Sequence, residues 1–309
     1  MTRFDAATNR GWNAALGRLE QLTREAQASS PRPALIVWPE TAVRDIGNLP
    51  ALAKRIKKLA DSTGVPIILG SSDLQTSVTW NDSGFRIDRR DHNAAWMIPA
   101  HGAIPAPYYK MVLLPFAEYR PLARWVRWPQ WLAPRMFNTI RGHTRTLFRL
   151  GGGTRVAPVI CWENLFDGRV RRSVADGAQL IVHLVNDNWF GRSAEPRQHE
   201  LASVLRAVEN RVPVIVASNT GPSEIIGPTG RVIAEGPGLF ASGFVSAPVT
   251  LGVGSPYTSY GDLFAWLCVA VATLAAGSAP AAALLRGRNG HFLPVRIRVN
   301  ARNRKMKNT

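Results

Sequence analysis

The chain predicts an α/β fold in which short buried strands alternate with amphipathic helices. Apolar runs recur between segments of helical spacing, and polar residues gather where those runs finish. With 309 residues and 46% hydrophobic content, the sequence is also large enough to bury a full core.

The elements follow in order. Trp12, Leu16, Leu19 and Leu22 recur at helical spacing with Arg18, Glu20 and Arg24 on other faces, so a first helix packs one side on a sheet. Residues 34–38 read as a strand. Leu52, Ile56 and Leu59 mark a second helix, and residues 65–69 a second buried strand, which completes a βαβ unit. A strand at 156–160, a helix near Val170 and Val174, and a strand at 180–185 repeat the theme. Leu201, Leu205 and Val208 form the apolar stripe of another helix, residues 212–217 a further strand, and Gly227-Pro228-Thr229-Gly230 a hairpin turn. Glu40, Cys161, Asn186, Asp187 and Asn219 stand at strand ends. Sites in open α/β sheets lie at the carboxyl ends of strands, so one shared pocket is expected.

Cys161, directly after Ala157-Pro158-Val159-Ile160, is the candidate nucleophile. A free thiol is mostly protonated near neutral pH and needs a base or a neighbouring cation. Glu40, after Ile36-Val37-Trp38-Pro39, suits the base, because partial burial raises a carboxylate toward neutrality. Lys110, in Tyr108-Tyr109-Lys110, would favour the thiolate and hold an oxyanion. Glu118 and Glu163 then orient the lysine or the leaving amine. Together these groups suit acyl transfer through a thioester. The competing reading makes Cys161 a small core residue. A pairing of Cys161 with His183 or His199 ranks lower, since an imidazole inside an apolar run reads as a satisfied core residue.

Several blocks occur in order: Val37-Trp38-Pro39-Glu40, Tyr109-Lys110 with Pro115-Phe116-Ala117-Glu118-Tyr119 and Pro121, and Ile160-Cys161-Trp162-Glu163. Asn186-Asp187-Asn188-Trp189-Phe190-Gly191, Gln198-His199, Arg206-Ala207-Val208-Glu209 and Ile226-Gly227-Pro228-Thr229-Gly230 follow. In these blocks the chain resembles the nitrilase, or carbon-nitrogen hydrolase, superfamily, and within it the bacterial apolipoprotein N-acyltransferases. The resemblance implies an αββα sandwich of two sheets between helix layers. It implies Glu40 as base, Lys110 as electrostatic stabiliser and Cys161 as nucleophile, with Glu118 and Glu163 as further essential carboxylates. Tyr109, Trp162, Asn186, Trp189 and Asn219 are the expected substrate-binding residues. A phospholipid acyl donor and a lipoprotein acceptor are implied, and neither metal nor organic cofactor. Family members carry membrane helices and a first core strand ahead of the segment that matches Phe4, so that strand and those helices are expected to be missing here, or supplied by a partner. Trp162 stands where the family usually has tyrosine, and Ser218-Asn219-Thr220-Gly221-Pro222 where it has Asn-Asn-Gly.

Residues 263–285 carry no charge, a length that can cross a hydrocarbon core about 30 Å thick, the competing reading being a buried Ala-rich helix of the soluble domain, which Gly277, Ser278 and Pro280 favour. They are followed by Arg286, Arg288, Arg296, Arg298, Arg302, Arg304, Lys305 and Lys307 with no acidic residue. Positive flanks stay cytoplasmic. The expected organisation is a catalytic domain at 1–257, a linker and transmembrane helix at 258–285, and a basic cytoplasmic tail at 286–309. The catalytic domain would face the periplasm at a bacterial inner membrane. The net charge of +17 lies largely in this tail and in the acid-free stretch 120–155, and no nucleic-acid motif accompanies it. Arg124-Trp125-Val126-Arg127-Trp128-Pro129-Gln130-Trp131 alternates cations and indoles, which suits either the headgroup zone of a bilayer, as a loop admitting lipid, or a solvated face with partly buried tryptophans. Two other functions fit the same residues: a membrane-tethered amidase or nitrilase, and a non-catalytic paralogue acting in binding or assembly.

Overall fold

Alternation along the strands builds the centre of the protein, whose computed structural model describes residues 9–81, 84–129 and 139–286. The strands β1 (Ile36–Val37), β2 (Ile67–Asn81), β3 (Gly84–Ile98) and β4 (Tyr108–Tyr109) form one sheet in that order. β1 and β2 run parallel and the other pairs antiparallel. A second sheet holds β5 (Phe148–Arg149), β6 (Arg155–Ile160), β7 (Leu180–Val185), β8 (Val214–Ser218), β9 (Glu224–Ile226) and β10 (Val232–Glu235). Its order is β10-β9-β8-β7-β6-β5, with β6, β7 and β8 parallel.

Successive side chains of a strand point to opposite faces. β2 therefore sends Ile68 one way and Ile67 and Leu69 the other, and β7 separates Leu180, Val182 and Leu184 from Ile181 and Val185. Ile68, Ala95, Met97 and Tyr108 meet Val156, Ile160, Val182 and Leu184 in a buried layer between the sheets. Helices cover the outward sets. α1 (Asn9–Ala28) and α2 (Pro50–Thr63) lay Leu16, Ile56, Leu59 and Ala60 on Ile36, Ile67, Leu69 and Ile98. α3 (Asp167–Ala175) and α4 (Glu195–Asn210) lay Val170, Val174 and Ala207 on Ala157, Val159, Ile181 and Val214. The layers are helix, sheet, sheet, helix, as the resemblance implies. Truncating one of these buried aliphatic side chains to alanine costs about 2–5 kcal/mol, so the layers hold the strand ends firmly.

Two elements differ from the expectation. The strand expected at 65–69 is the start of a long hairpin arm, in register from Ile67 opposite Ile98 to Asn81 opposite Gly84, with Trp80 and Phe85 exposed. In α4, Leu201 and Leu205 are each 55% exposed and Val208 41%, so the apolar stripe faces outward. The buried face carries His199, Glu200, Ser203, Arg206 and Asn210 beside Pro196 and Ala207. Several of its polar groups find partners: Ser203 meets His183, and Asn210 donates to the Arg206 carbonyl and accepts from Thr258.

The chain divides into two compact units, Met1–Gly261 and Asp262–Thr309. The first ends with a short helix, α5 (Pro256–Tyr260). The second contains α6 (Leu263–Arg286), where the spanning segment is expected. Among the described residues no helix is long and apolar enough to cross a membrane, so the structure does not support the expected transmembrane helix. The basic segment 287–309, together with Gln130, Trp131 and Arg135, lies outside the described residues.

Candidate active site

Three chain crossings deliver three side chains to one cleft. Glu40 follows β1, where the backbone runs so close to β2 that a Cβ on Gly70 would sit 2.6 Å from the Glu40 Cα. Only glycine allows that approach, and the Gly70 amide donates to the Pro39 carbonyl across it at 3.1 Å. Lys110 follows β4, its amide donating to the Asn93 carbonyl at 2.8 Å and its own carbonyl accepting from Gly142 at 2.7 Å. Cys161 ends β6 and opens a 3-10 turn, Cys161–Leu165, with φ at +48°. A left-handed φ is uncommon for a side chain other than glycine and costs about 1–2 kcal/mol. Such strain recurs where a side chain must be aimed.

Within the cleft Lys110 is the central charge. Its Nζ lies 3.0 Å from Glu118 Oε1 and 3.8 Å from Glu40 Oε1. Asn93 Nδ2 donates to the same two carboxylates, at 2.6 Å to Glu40 and 3.2 Å to Glu118, and the Leu114 amide donates to Glu118 Oε2 at 2.7 Å. Glu40 and Cys161 both line the cleft, and each bears on the other's pKa. Burial pushes the Glu40 pKa up, Glu118 adds to the rise, and Lys110, Asn93 and Cys161 oppose it. Burial alone would lower the Lys110 pKa, but Glu40, Cys161 and Glu118 outweigh it and the ammonium is held charged. Part of Cys161 opens on the cleft, yet its protein surroundings push its pKa well up, with Glu40 adding and Lys110 opposing. One cation already serves two carboxylates, so a third anion at rest is unfavourable. Passing the proton from sulfur to Glu40 during attack leaves the total charge unchanged.

Around this centre the cleft encloses about 2460 Å³, well beyond the ~300–1,000 Å³ of ordinary small-molecule sites. Glu40, Lys110, Glu118, Cys161, Trp162, Asn186, Trp189 and Asn219 all line it. Two expected site residues lie elsewhere. Glu163 is fully buried, where it accepts from Tyr108 Oη, the amides of Ile160, Met111 and Val112, and pairs with Arg169 at 3.1 Å. It ties the Cys161 turn to the segment after Lys110. Tyr109 turns the other way, donating to Asp73 and packing its ring on His92 at 4.4 Å. Sequence reasoning missed Asn93, since a lone asparagine in a strand carries no pattern until its pairing is known. His183 bonds the Cys161 backbone oxygen, and His199 Nδ1 pairs with Asp187 at 3.1 Å. Asp187, Glu195 and His199 bring one ligand atom each within 4.8 Å of one another, the described group most able to hold a cation.

The carbon-nitrogen hydrolase family matches residues 12–257. Apolipoprotein N-acyltransferase of Geobacter metallireducens is 36% identical over 262 residues, covering 84% of this chain and 48% of that protein. The protein of the same name from Bdellovibrio bacteriovorus is 30% identical over 222 residues, covering 70% and 40%. Among solved structures, Saccharomyces cerevisiae Nit3, a nitrilase superfamily member, superposes with a TM-score of 0.55 at 18% identity, covering 74% of this chain and 82% of that one. An amidase variant from Nesterenkonia sp. AN1, with a covalent addition at its active-site cysteine, gives 0.54 at 19%, covering 81% and 86%. The chain belongs to the carbon-nitrogen hydrolase family, on the nitrilase fold. It spans about half, or less, of the length of these two curated relatives.

Proposed function

We propose that this chain is the catalytic part of a membrane-attached N-acyltransferase. It moves a fatty acyl group from a phospholipid, through a Cys161 thioester, to the amino-terminal amine of a diacylglyceryl-cysteine lipoprotein. The observation that carries this reading is the meeting of Glu40, Lys110 and Cys161 in one large cleft. The names of the relatives supply the acceptor class.

In the first half-reaction Glu40 takes the thiol proton as sulfur attacks an ester carbonyl of the lipid. Lys110 stabilises the oxyanion, and the ester C–O bond breaks as Glu40 returns the proton to the departing lyso-lipid oxygen. In the second, the neutral amine attacks the thioester, Glu40 accepts its proton, and the C–S bond breaks to restore the thiol and form an amide. Glu118 and Asn93 hold Lys110 and Glu40 in place. Trp162, Asn186, Trp189 and Asn219 form the walls against which substrate packs.

Membrane attachment draws support from α6, whose Phe264, Trp266, Val271 and Leu274 are all more than 60% exposed, a surface that lipid would cover. The loop after Glu118 adds Leu122 at 66% and Trp125 at 81% exposure beside exposed Arg124 and Arg127. The reading places the domain on the periplasmic face of a bacterial inner membrane, with a partner supplying the membrane helices.

The test is transfer itself. The chain is incubated with vesicles of acyl-labelled phospholipid and a diacylglyceryl-cysteine peptide. Label should reach the peptide amine and fall by about a thousandfold or more in Cys161→Ala. Release of free fatty acid with an unlabelled peptide would favour a hydrolase, and transfer that survives Cys161→Ala would overturn the mechanism.

A further inference from the structure

The left-handed backbone of Cys161 has a side-chain partner. Its carbonyl oxygen lies 3.0 Å from Nε2 of His183 on β7. His183 is 1% exposed and shares its strand face with Ile181 and Val185, toward α4. There Ser203 Oγ lies 2.9 Å from His183 Nδ1, and Asn164 Nδ2 donates to the same Oγ at 3.2 Å.

The proton positions follow from what each group can do. An amide N–H only donates, so Ser203 accepts from Asn164 and directs its own proton to His183 Nδ1. The Cys161 carbonyl only accepts, so Nε2 carries the ring proton. A neutral imidazole has one donor and one acceptor nitrogen, and this chain of bonds selects one tautomer.

We infer that His183, held by Ser203, is a positioning residue that fixes the peptide plane between Cys161 and Trp162 and so aims the thiol into the cleft. The inference rests on Cys161 being the nucleophile of the proposed function. A trans peptide is planar, with its carbonyl and following N–H pointing opposite ways. Holding the oxygen toward His183 therefore turns the Trp162 N–H away from β7. Because Asn164 belongs to the same 3-10 turn as Cys161, the path through His183 and Ser203 closes on the turn it supports. Loss of the imidazole would remove the side-chain hydrogen bond that holds this carbonyl and leave an unfavourable φ with less restraint, so the peptide would rotate. His183 touches no reacting atom; its effect passes through the direction of Sγ.

The experiment compares His183→Val, His183→Gln and Ser203→Ala with the parent chain, measuring alkylation of Cys161 by iodoacetamide, thermal unfolding, and kcat and KM for acyl transfer. Valine suits the strand but bonds to neither partner, whereas glutamine can donate to the carbonyl and accept from the hydroxyl. One buried hydrogen bond implies that His183→Val slows alkylation and kcat about tenfold, with KM within about twofold. His183→Gln should regain most of the rate, and Ser203→Ala should lose about threefold. A folded His183→Val that is alkylated at the parent rate overturns the inference, as does a His183→Gln no faster than His183→Val. If His183→Val does not fold, Ser203→Ala decides, and a parent rate there overturns it too. Full transfer by Cys161→Ala would instead sink the nucleophile assignment, a separate result from the alkylation comparison.

Discussion

Glu40 must be ionised to receive the thiol proton, and its surroundings set when that happens. Burial, reinforced by Glu118, raises its pKa above the ordinary carboxylate value. Activity should therefore fall with acidification through a midpoint above the ordinary carboxylate range. A pH profile of kcat/KM checks this, and Glu40→Gln should lose the acid limb along with most of the rate. A limb at or below the ordinary value would remove Glu40 from the role. Glu40, Lys110 and Cys161 were legible as separate strand-end groups because apolar runs end at two of them and a charge follows two tyrosines at the third. What the chain order hides is direction. Tyr109 adjoins Lys110 yet faces Asp73, because neighbouring residues of a strand point opposite ways. Glu163 adjoins the nucleophile by number, but the tight turn after β6 swings it behind the cleft wall to bind three backbone amides. Asn93 joins Glu40 to Glu118 only because the pairing of β3 with β4 sets it beside Lys110.

At the scale of elements, alternation was readable and amphipathic polarity misled once. The strands at 34–38, 65–69, 156–160, 180–185 and 212–217 each overlap an observed strand, because a buried strand needs an apolar run whatever its partners. The hairpin arm was not read, since residues 75–80 are exposed and carry no burial signal. In α4 the leucines repeat at helical spacing but face outward, and the helix packs through a bonded polar face instead. Leu201→Lys and Leu205→Lys should consequently shift stability by less than about 0.5 kcal/mol, whereas core truncations cost several times that. Urea unfolding of the two variants beside Ile181→Ala measures the contrast. A loss of about 2 kcal/mol or more at either leucine would place it in the core.

For the whole molecule, the same exposed apolar and basic groups bear on where it works. Leu122, Trp125, Arg124 and Arg127 continue outward from the segment 114–118 that lines the cleft. Residues 120–155 hold eight arginines and no acid. Attraction of that stretch to anionic headgroups is worth about 1 kcal/mol per cation near the surface and fades with salt. The chain should sediment with phosphatidylglycerol vesicles more than with phosphatidylcholine vesicles, and Leu122→Asp with Trp125→Asp should weaken that binding several-fold. Equal binding to both vesicles would remove the electrostatic part of the account. The central claim, however, is a covalent one. Mass spectrometry of the full chain after exposure to phospholipid, without acceptor, should find a fatty acyl group on Cys161, labile to hydroxylamine and absent in Glu40→Gln. An unmodified Cys161 in chain that is folded and bound to those vesicles would contradict it.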